Sequence, residues 1–197
     1  MEKEISDYDL WQRLLKGDRL ALNEIYTQNF SPLYHYGMRM LQDEEGVRDC
    51  LHNLFVKLWE NHKTLKPTDH IRYYLLSALR NNIINYRVKE SKFQKVDLET
   101  HEVFDLKFSV ESDYIRKEEQ HEKVKQLSDA MNKLTARQKE IIYLKYFEEM
   151  DYDEIAELMN LSKKGAYKLS ARALEALREI LNVDKAMLMA ILFMIKH

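Results

Sequence analysis

Apolar residues recur every three or four positions along almost the whole chain, and no convincing stretch alternates apolar with polar residues. This spacing predicts α-helices rather than strands. A first short stripe runs from Leu10 to Leu15. Asp18 is the expected cap of a second helix. Ser31, followed by proline at the first helical position, is the expected cap of a third helix that runs to about Leu41.

The fourth predicted helix has the clearest pattern. Asp43 is its expected cap, and two glutamates follow in the first turn, where the helix dipole favours them. Its apolar stripe contains Val47, Cys50, Leu51, Leu54, Phe55 and Leu58. The opposite face carries Arg48, Asp49, His52, Asn53, Val56 and Glu60. A broad stripe of this kind is typical of a helix packed on a core, so the mixed face is expected to point outward.

A fifth helix is predicted after a loop that contains Pro67, with Asp69 as its candidate cap. Its outer side is expected to carry Arg72, Arg80, Asn81, Asn85, Arg87 and Lys89. The pattern ends near residue 90, so residues 1–90 are predicted to form a first helical domain. Between residues 91 and 112 the chain is acidic and weakly patterned. A stretch of this length without periodicity is interpreted as a flexible acidic linker between domains.

Helical spacing resumes by Tyr114 and continues to about residue 182. Thr135 to Gln138 and Asp151 to Glu154 are both capping boxes, which predict two helix starts. A short helix after Asp151, a tight turn and a longer helix from about residue 163 predict a helix-turn-helix. The outer face of the longer helix carries Lys163, Lys164, Tyr167, Lys168 and Arg172. A solvated basic face and a surface that binds a polyanion are both compatible with this stretch in isolation.

The fold class is therefore predicted to be all-α, with two small helical domains, 1–90 and 113–182, and an apolar C-terminal tail, 183–197. Composition agrees, because only 4 Gly and 2 Pro occur in 197 residues, 45% are hydrophobic and 32% are charged. The formal net charge is -2, so any nucleic-acid footprint must be local. The single cysteine, Cys50, excludes an internal disulfide and favours a reducing, cytoplasmic setting.

No membrane or secretory segment is expected. The acidic, polar N-terminus does not resemble a secretory signal. The longest apolar run, Ala186 to Ile195, is too short to span a bilayer. This tail is expected to dock on the second domain or on a partner.

Catalysis is not predicted, since the sequence contains no nucleophile–base constellation and no phosphate-cradling glycine loop. Asp49 with His52, and Glu118 with His121, have the i, i+3 spacing found in helical di-iron bundles. The second pair lies in a charged run rather than on an inward face, which disfavours a metalloenzyme. No metal, cofactor or small-molecule substrate is therefore expected.

Two segments resemble the extracytoplasmic-function (ECF) group of bacterial sigma factors, particularly members common in Bacteroidetes. "VRDCLHNLFVKLWENH" is similar to the family's polymerase-binding stretch, which it matches at Asp49, Phe55, Lys57, Leu58 and Trp59. His52 stands where the family usually has Gln, and Asn53 where it has an acid. "HIRYYLLSALRNNIINYRVKE" resembles the strand-opening helix, with Asn85 in place of a common Asp. "LTARQKEIIYLKYFEEMDYDEIAELMNLSKKGAYKLSARALEALREIL" resembles the promoter-reading domain, except at "GAYKLS".

The resemblance implies three binding surfaces. Core RNA polymerase would bind the outer face of the fourth helix through Asp49, His52, Asn53, Val56 and Glu60. The fifth helix and the Pro67 loop would open the −10 promoter element through Arg72, Arg80, Asn81, Asn85, Arg87 and Lys89. The −35 duplex would meet Lys163, Lys164, Tyr167, Lys168 and Arg172. An anti-sigma factor, which can be membrane-bound, is a further implied partner. The alternative is a helix-turn-helix regulator that acts on DNA without polymerase.

Overall fold

The computed structural model describes residues 5–94, 103–105 and 118–196, with the side chains at 91–94, 118–124 and 194–196 left out of the description. All regular structure in these ranges is helical, which confirms the all-α prediction. The chain divides into two compact units, residues 1–101 and 102–197. The helices are α1 Asp7–Leu15, α2 Arg19–Leu41, α3 Glu44–Glu60, α4 Ile71–Gln94, α5 Glu118–Asn132, α6 Ala136–Ile142, α7 Tyr152–Leu158, α8 Lys163–Leu181 and α9 Lys185–Lys196.

The first unit is a bundle in which α2, α3 and α4 pack against one another and α1 contacts α2 and α4. Its core contains the fully buried side chains of Trp11 and Tyr36 among leucines and isoleucines from all four helices. The predicted stripe of α3 is buried throughout. The mixed face of α3 is therefore left on the outside of the bundle.

Helix α2 corrects one prediction, because the expected second and third helices form a single helix of 23 residues with Pro32 inside it. Ser31 is not a cap. A proline removes one backbone hydrogen bond, which ordinarily favours a break. Here the buried positions Ile25, Asn29 and Leu33 continue in register across the proline. Tertiary packing on α3 and α4 thus outweighs the local breaking signal.

The start of α3 also differs from the prediction, in the hydrogen bonds of its expected cap. Asp43 occupies the cap position, but its side chain makes no capping hydrogen bond. Its Oδ2 instead accepts a hydrogen bond from the Tyr86 hydroxyl of α4 at 3.2 Å. A Cβ added at Gly46 would lie 2.5 Å from that Oδ2 and 2.9 Å from the Tyr86 ring. The glycine therefore permits the close approach of α3 and α4.

The second unit has α8 at its centre, in contact with α5, α6, α7 and α9. Both predicted capping boxes are present, at Thr135 for α6 and at Asp151 for α7. A π-helical segment, Tyr143–Phe147, follows α6 directly. The apolar tail forms α9, which packs on α5, α8 and the π-helical segment through Leu188 and Leu192. Of the two docking alternatives, the second domain is the one observed.

The predicted linker and its neighbours are only partly covered. Helix α4 continues to Gln94, and most of residues 91–112 lies outside the described part of the chain, as does the expected helix start at Tyr114. Within the linker, Phe104 is 3% exposed and its ring lies 5.7 Å from that of Tyr143 in the second unit. Among the described residues, no helix combines the length and the apolar character needed to cross a bilayer.

Candidate functional site

The outer face of α3 brings five of the predicted site residues together. Asp49, His52, Asn53, Val56 and Glu60 are all exposed. They follow one another at helical spacing, opposite the buried stripe that packs on α2 and α4. The rigid core behind the helix fixes their relative positions. The face combines two carboxylates, an amide, an imidazole and one valine that is 39% exposed.

An apolar groove of about 580 Å³ adjoins this face, between α2 and α3. Its lining consists of Leu22, Tyr26, Phe30, Arg48, Leu51, His52, Phe55, Val56, Trp59 and Glu60. Three predicted face residues therefore also border the groove. The sequence does not identify these α2 side chains as groove residues, because Leu22 and Tyr26 share the helical spacing of an apolar stripe. Tyr26 is in fact 42% exposed.

The loop between α3 and α4 is held by α1 at its middle and at its C-terminal end. Trp11 Nε1 donates to the Lys66 carbonyl at 2.9 Å. The backbone N–H of Ile71, the first residue of α4, donates to Asp7 Oδ2 at 3.0 Å. The expected cap Asp69 is thus replaced by a carboxylate from far away in the sequence. These two bonds position the loop that carries Pro67.

Helix α4 presents only part of its predicted outer side. Arg72, Asn81, Asn85 and Lys89 are exposed, and Arg87 is half-buried. Arg80 corrects the prediction, because its side chain is only 8% exposed. Helix α4 contacts three neighbouring helices, so its buried band is wide and includes Leu76, four residues before Arg80.

A smaller cavity of about 330 Å³ lies under the α3–α4 loop. It is lined by Leu54, Lys57, Leu58, Asn61, Thr64, Leu65, Tyr74, Ala78 and Asn82. The predicted Asn81 is not among them, whereas its neighbour Asn82 is. The Asn82 amide donates to the Cys50 carbonyl at 3.4 Å, a long bond. Tyr74 is half-buried, and its ring packs edge-on against that of Trp11, with centroids 5.0 Å apart.

The helix-turn-helix is formed by α7, a turn and α8. Asn160 turns the chain with φ 53°, and Ser162 caps α8 by accepting a hydrogen bond from the Gly165 N–H at 3.0 Å. Ala166, Ala173 and Leu177 are buried against the rest of the unit. The opposite side of α8 is therefore the outward one.

All five predicted residues lie on that outward side. Lys163, Lys164, Tyr167, Lys168 and Arg172 are exposed. Lys163 Nζ lies 2.7 Å from Asp153 Oδ2, and this ion pair raises the pKa of the lysine. The Tyr167 ring packs on Tyr152 of α7, with centroids 3.9 Å apart. The result is a cationic strip with one aromatic ring in its middle.

The structure describes only one of the two candidate metal-ligand pairs. Asp49 and His52 are exposed on α3, and the side chains of Glu118 and His121 lie outside the described ones. In the part of the chain that the structure describes, no three His, Cys, Asp or Glu side chains come together as metal ligands would. Cys50 is buried, and desolvation raises the pKa of its thiol to about 11.

Comparison with known families gives two matches. Residues 25–93 match the model for sigma-70 region 2, and residues 125–177 match the model for sigma-70 region 4. Together these stretches span more than half of the chain. The chain is also 24% identical, over 169 residues, to the ECF RNA polymerase sigma factor SigM of Bacillus subtilis (strain 168). That match covers 83% of this chain and 96% of the relative.

A second relative from the same organism is the RNA polymerase sigma factor YlaC, 22% identical over 145 residues, which are 73% of this chain and 82% of YlaC. Among solved structures, the sigma factor RpoE from Bartonella quintana, in complex with the anti-sigma factor NepR, superposes with a TM-score of 0.58. It is 16% identical, and the match covers 88% of this chain and 99% of that one. At that identity the superposition establishes the fold.

Proposed function

Because this chain belongs to the sigma-70 family of RNA polymerase sigma factors, in its ECF group, we propose that it binds core polymerase through α3 and contacts the −10 and −35 promoter elements through α4 and α8. The order of the two matched regions along one chain carries this proposal. A regulator that acted on DNA alone would need only the helix-turn-helix. The region 2 match therefore favours a sigma factor over that alternative.

The polymerase-binding surface consists of Asp49, His52, Asn53, Val56 and Glu60 together with the apolar groove beside them. Stable protein interfaces combine an apolar centre with a polar rim. The groove supplies the apolar centre, and the charged and amide groups of α3 supply the rim. The clamp coiled coil of the largest polymerase subunit is the proposed occupant, as the family resemblance implies.

The −10 surface consists of the exposed residues Arg72, Asn81, Asn85 and Lys89, with Arg87 at its edge. Cations neutralise strand phosphates, and an asparagine side chain can both donate to and accept from a base edge. The cavity under the α3–α4 loop supports a place for one base flipped out of the duplex. Arg80 is left out of this surface because it is buried.

The −35 surface is the cationic strip of α8, offered to the major groove as a recognition helix. Lys163 is proposed to contact phosphates, which position the helix without specifying sequence. Lys164, Tyr167 and Lys168 are proposed to read base edges, and Arg172 to contact the backbone farther along.

An anti-sigma factor is proposed as a further partner, since the similar RpoE was solved in complex with NepR. We assign the chain no catalysis of its own, because it lends promoter choice to an enzyme made by other chains. Its proposed site of action is the cytoplasm, where the polymerase works.

Charge reversal on α3 tests the polymerase-binding proposal. Asp49→Lys with Glu60→Lys should weaken binding to purified core polymerase by at least about tenfold, because like charges juxtaposed across an interface cost several kcal/mol. The matched control is Glu157→Lys with Glu179→Lys, two exposed acids of the second unit that give the same change in net charge. The control should bind as the wild type does. Undiminished binding by the α3 variant, with an unchanged helical spectrum, would remove this surface from the account.

A further inference from the structure

Tyr152 and Tyr167 form a ring pair at the junction of the two helices of the helix-turn-helix. Tyr152 is the first residue of α7, and Tyr167 lies on the outward side of α8. Their centroids are 3.9 Å apart with an interplanar angle of 32°. Tyr167 remains 50% exposed. Part of its ring therefore packs on the protein, and the rest is exposed to solvent.

The Tyr152 side of the pair is fixed by further contacts. Its hydroxyl lies 3.0 Å from Oγ of Ser170, a residue of α8 that is 1% exposed. Lys145 Nζ lies 5.0 Å from the centroid of the Tyr152 ring and also donates to the Met150 carbonyl at 2.9 Å. A hydrogen bond and a cation–π contact thus act on one tyrosine. These two contacts hold Tyr152 in place in addition to its packing on Tyr167.

A firmly held ring restricts the rotamers of the ring packed against it. Ordering a flexible side chain on binding costs free energy, and a side chain already in its bound conformation avoids that cost. We infer that Tyr152 is a positioning residue that holds Tyr167 in one orientation for reading the −35 duplex. This inference rests on the proposed role of Tyr167 in base recognition. Tyr152 itself contacts no DNA in this scheme.

The test uses the holoenzyme, reconstituted from core polymerase and full-length variants, and a promoter library randomised in the −35 element. Tyr152→Leu keeps an apolar side chain but removes the ring face. It should reduce the preference for the best −35 sequences over the average by about threefold to tenfold, the range expected for freeing one ordered side chain. Tyr152→Phe keeps the ring and should retain most of the wild-type preference, although it loses the hydroxyl bond to Ser170.

A double-mutant cycle separates positioning from general weakening of the domain. Tyr167→Ala should change the preference by itself, and adding Tyr152→Leu to it should change the preference no further. An equal effect of Tyr152→Leu with and without Tyr167 would overturn the inference, because Tyr152 would then act by another route. A Tyr152→Leu variant with wild-type preference would also overturn the inference. If Tyr167→Ala still changed the preference in that case, the proposed base reading by Tyr167 would stand.

A Tyr167→Ala variant with wild-type preference would overturn both the positioning role and base reading by Tyr167. Promoter-directed transcription by that variant would still be measurable, so the proposed sigma function would be judged separately. Thermal unfolding of each variant identifies losses that come from stability, since a destabilised domain weakens binding to every library member alike.

Discussion

At the residue scale, one glycine permits the close approach of α3 and α4, the two helices of the first unit that carry proposed binding surfaces. Gly46 of α3 faces the hydrogen bond between Asp43 and the Tyr86 hydroxyl. Burial and this bond to a carboxylate raise the pKa of Tyr86. The bond joins the start of the proposed polymerase-binding helix to the proposed −10 helix. The relative position of these two surfaces therefore depends on a small contact.

Gly46→Ala is expected to destabilise the first unit by about 1–3 kcal/mol, the usual cost of overpacking. In an open helical position the same change would stabilise by about 1 kcal/mol. Both tryptophans, Trp11 and Trp59, lie in the first unit, so urea unfolding followed by tryptophan fluorescence reports on it. Glu45→Ala, at the exposed neighbouring position, should stay within about 0.5 kcal/mol. A gain in stability for Gly46→Ala would contradict the contact.

A second residue-scale prediction concerns pH and Asp151. Its carboxylate accepts hydrogen bonds from the N–H groups of Glu154 and Asp153, each at 2.8 Å, and these bonds lower its pKa. Because the pKa of Asp151 is lower in the folded state, its ionised carboxylate stabilises the fold at pH values above the unfolded-state pKa of about 3.9. This stabilisation is lost as the pH falls through the folded-state pKa. Asp151→Asn keeps a good cap without the charge.

The wild type should therefore exceed the Asn variant in unfolding free energy near pH 6, with the difference shrinking steadily below about pH 4. Urea unfolding of the full chain, followed by circular dichroism, measures this difference. A difference that did not change with pH would mean that the charge of Asp151 adds nothing to the cap.

At the element scale, the sequence predicts elements well where one signal dominates. Helix α3 has a clear apolar stripe, and the helix-turn-helix has clear stripes and caps. Both form where the sequence predicts them, although the side chain of Asp43 makes no capping hydrogen bond to α3. Helix α2 does not, because the local signal of Ser31 and Pro32 competes with packing on both neighbouring helices, which no local pattern reveals. The cap of α4 comes from Asp7, and distant partners of this kind are not visible in a pattern either.

The candidate surfaces show the same division. The outward faces of α3 and α8 follow from periodicity, so their residues are placed as predicted. The prediction for Arg80 is wrong because α4 packs on three neighbouring helices, which bury more of its surface than the apolar pattern indicates. An arginine is ordinarily expected on the outside, so its residue type does not indicate burial. The groove needs α2 and α3 side by side, so Tyr26 and Phe30 could be found only from the tertiary structure.

Helix α9 provides the prediction at this scale. The side chain of Leu188 packs on the other helices of the second unit and is 1% exposed, whereas its neighbour Met187 is 46% exposed. Leu188→Ala should cost about 2–4 kcal/mol of stability through lost burial and a residual cavity. Met187→Ala should cost less than about 0.5 kcal/mol. Equal effects of the two substitutions in thermal unfolding would show that α9 does not dock as described.

At the scale of the whole molecule, the two proposed DNA-binding surfaces lie on one chain, and such linkage strengthens binding when each surface alone binds weakly. The net charge is -2, so free protein should bind promoter duplex weakly. The ion pair of Lys163 with Asp153 also reduces the charge that α8 offers to DNA. Polymerase would bring both promoter elements near both units, which converts the second contact into an intramolecular one. Promoter selection is thus expected only in the holoenzyme.

Run-off transcription from a library of promoters, with purified core polymerase and this chain, tests that claim most directly. The account predicts transcripts that begin at a fixed distance from shared −35 and −10 sequences when the chain is present and none of these when it is omitted. The Asp49→Lys and Glu60→Lys double variant should abolish them, and its charge-matched control should not. Tight, sequence-specific binding of the free chain to DNA, with no promoter-specific transcript in the presence of polymerase, would contradict the account.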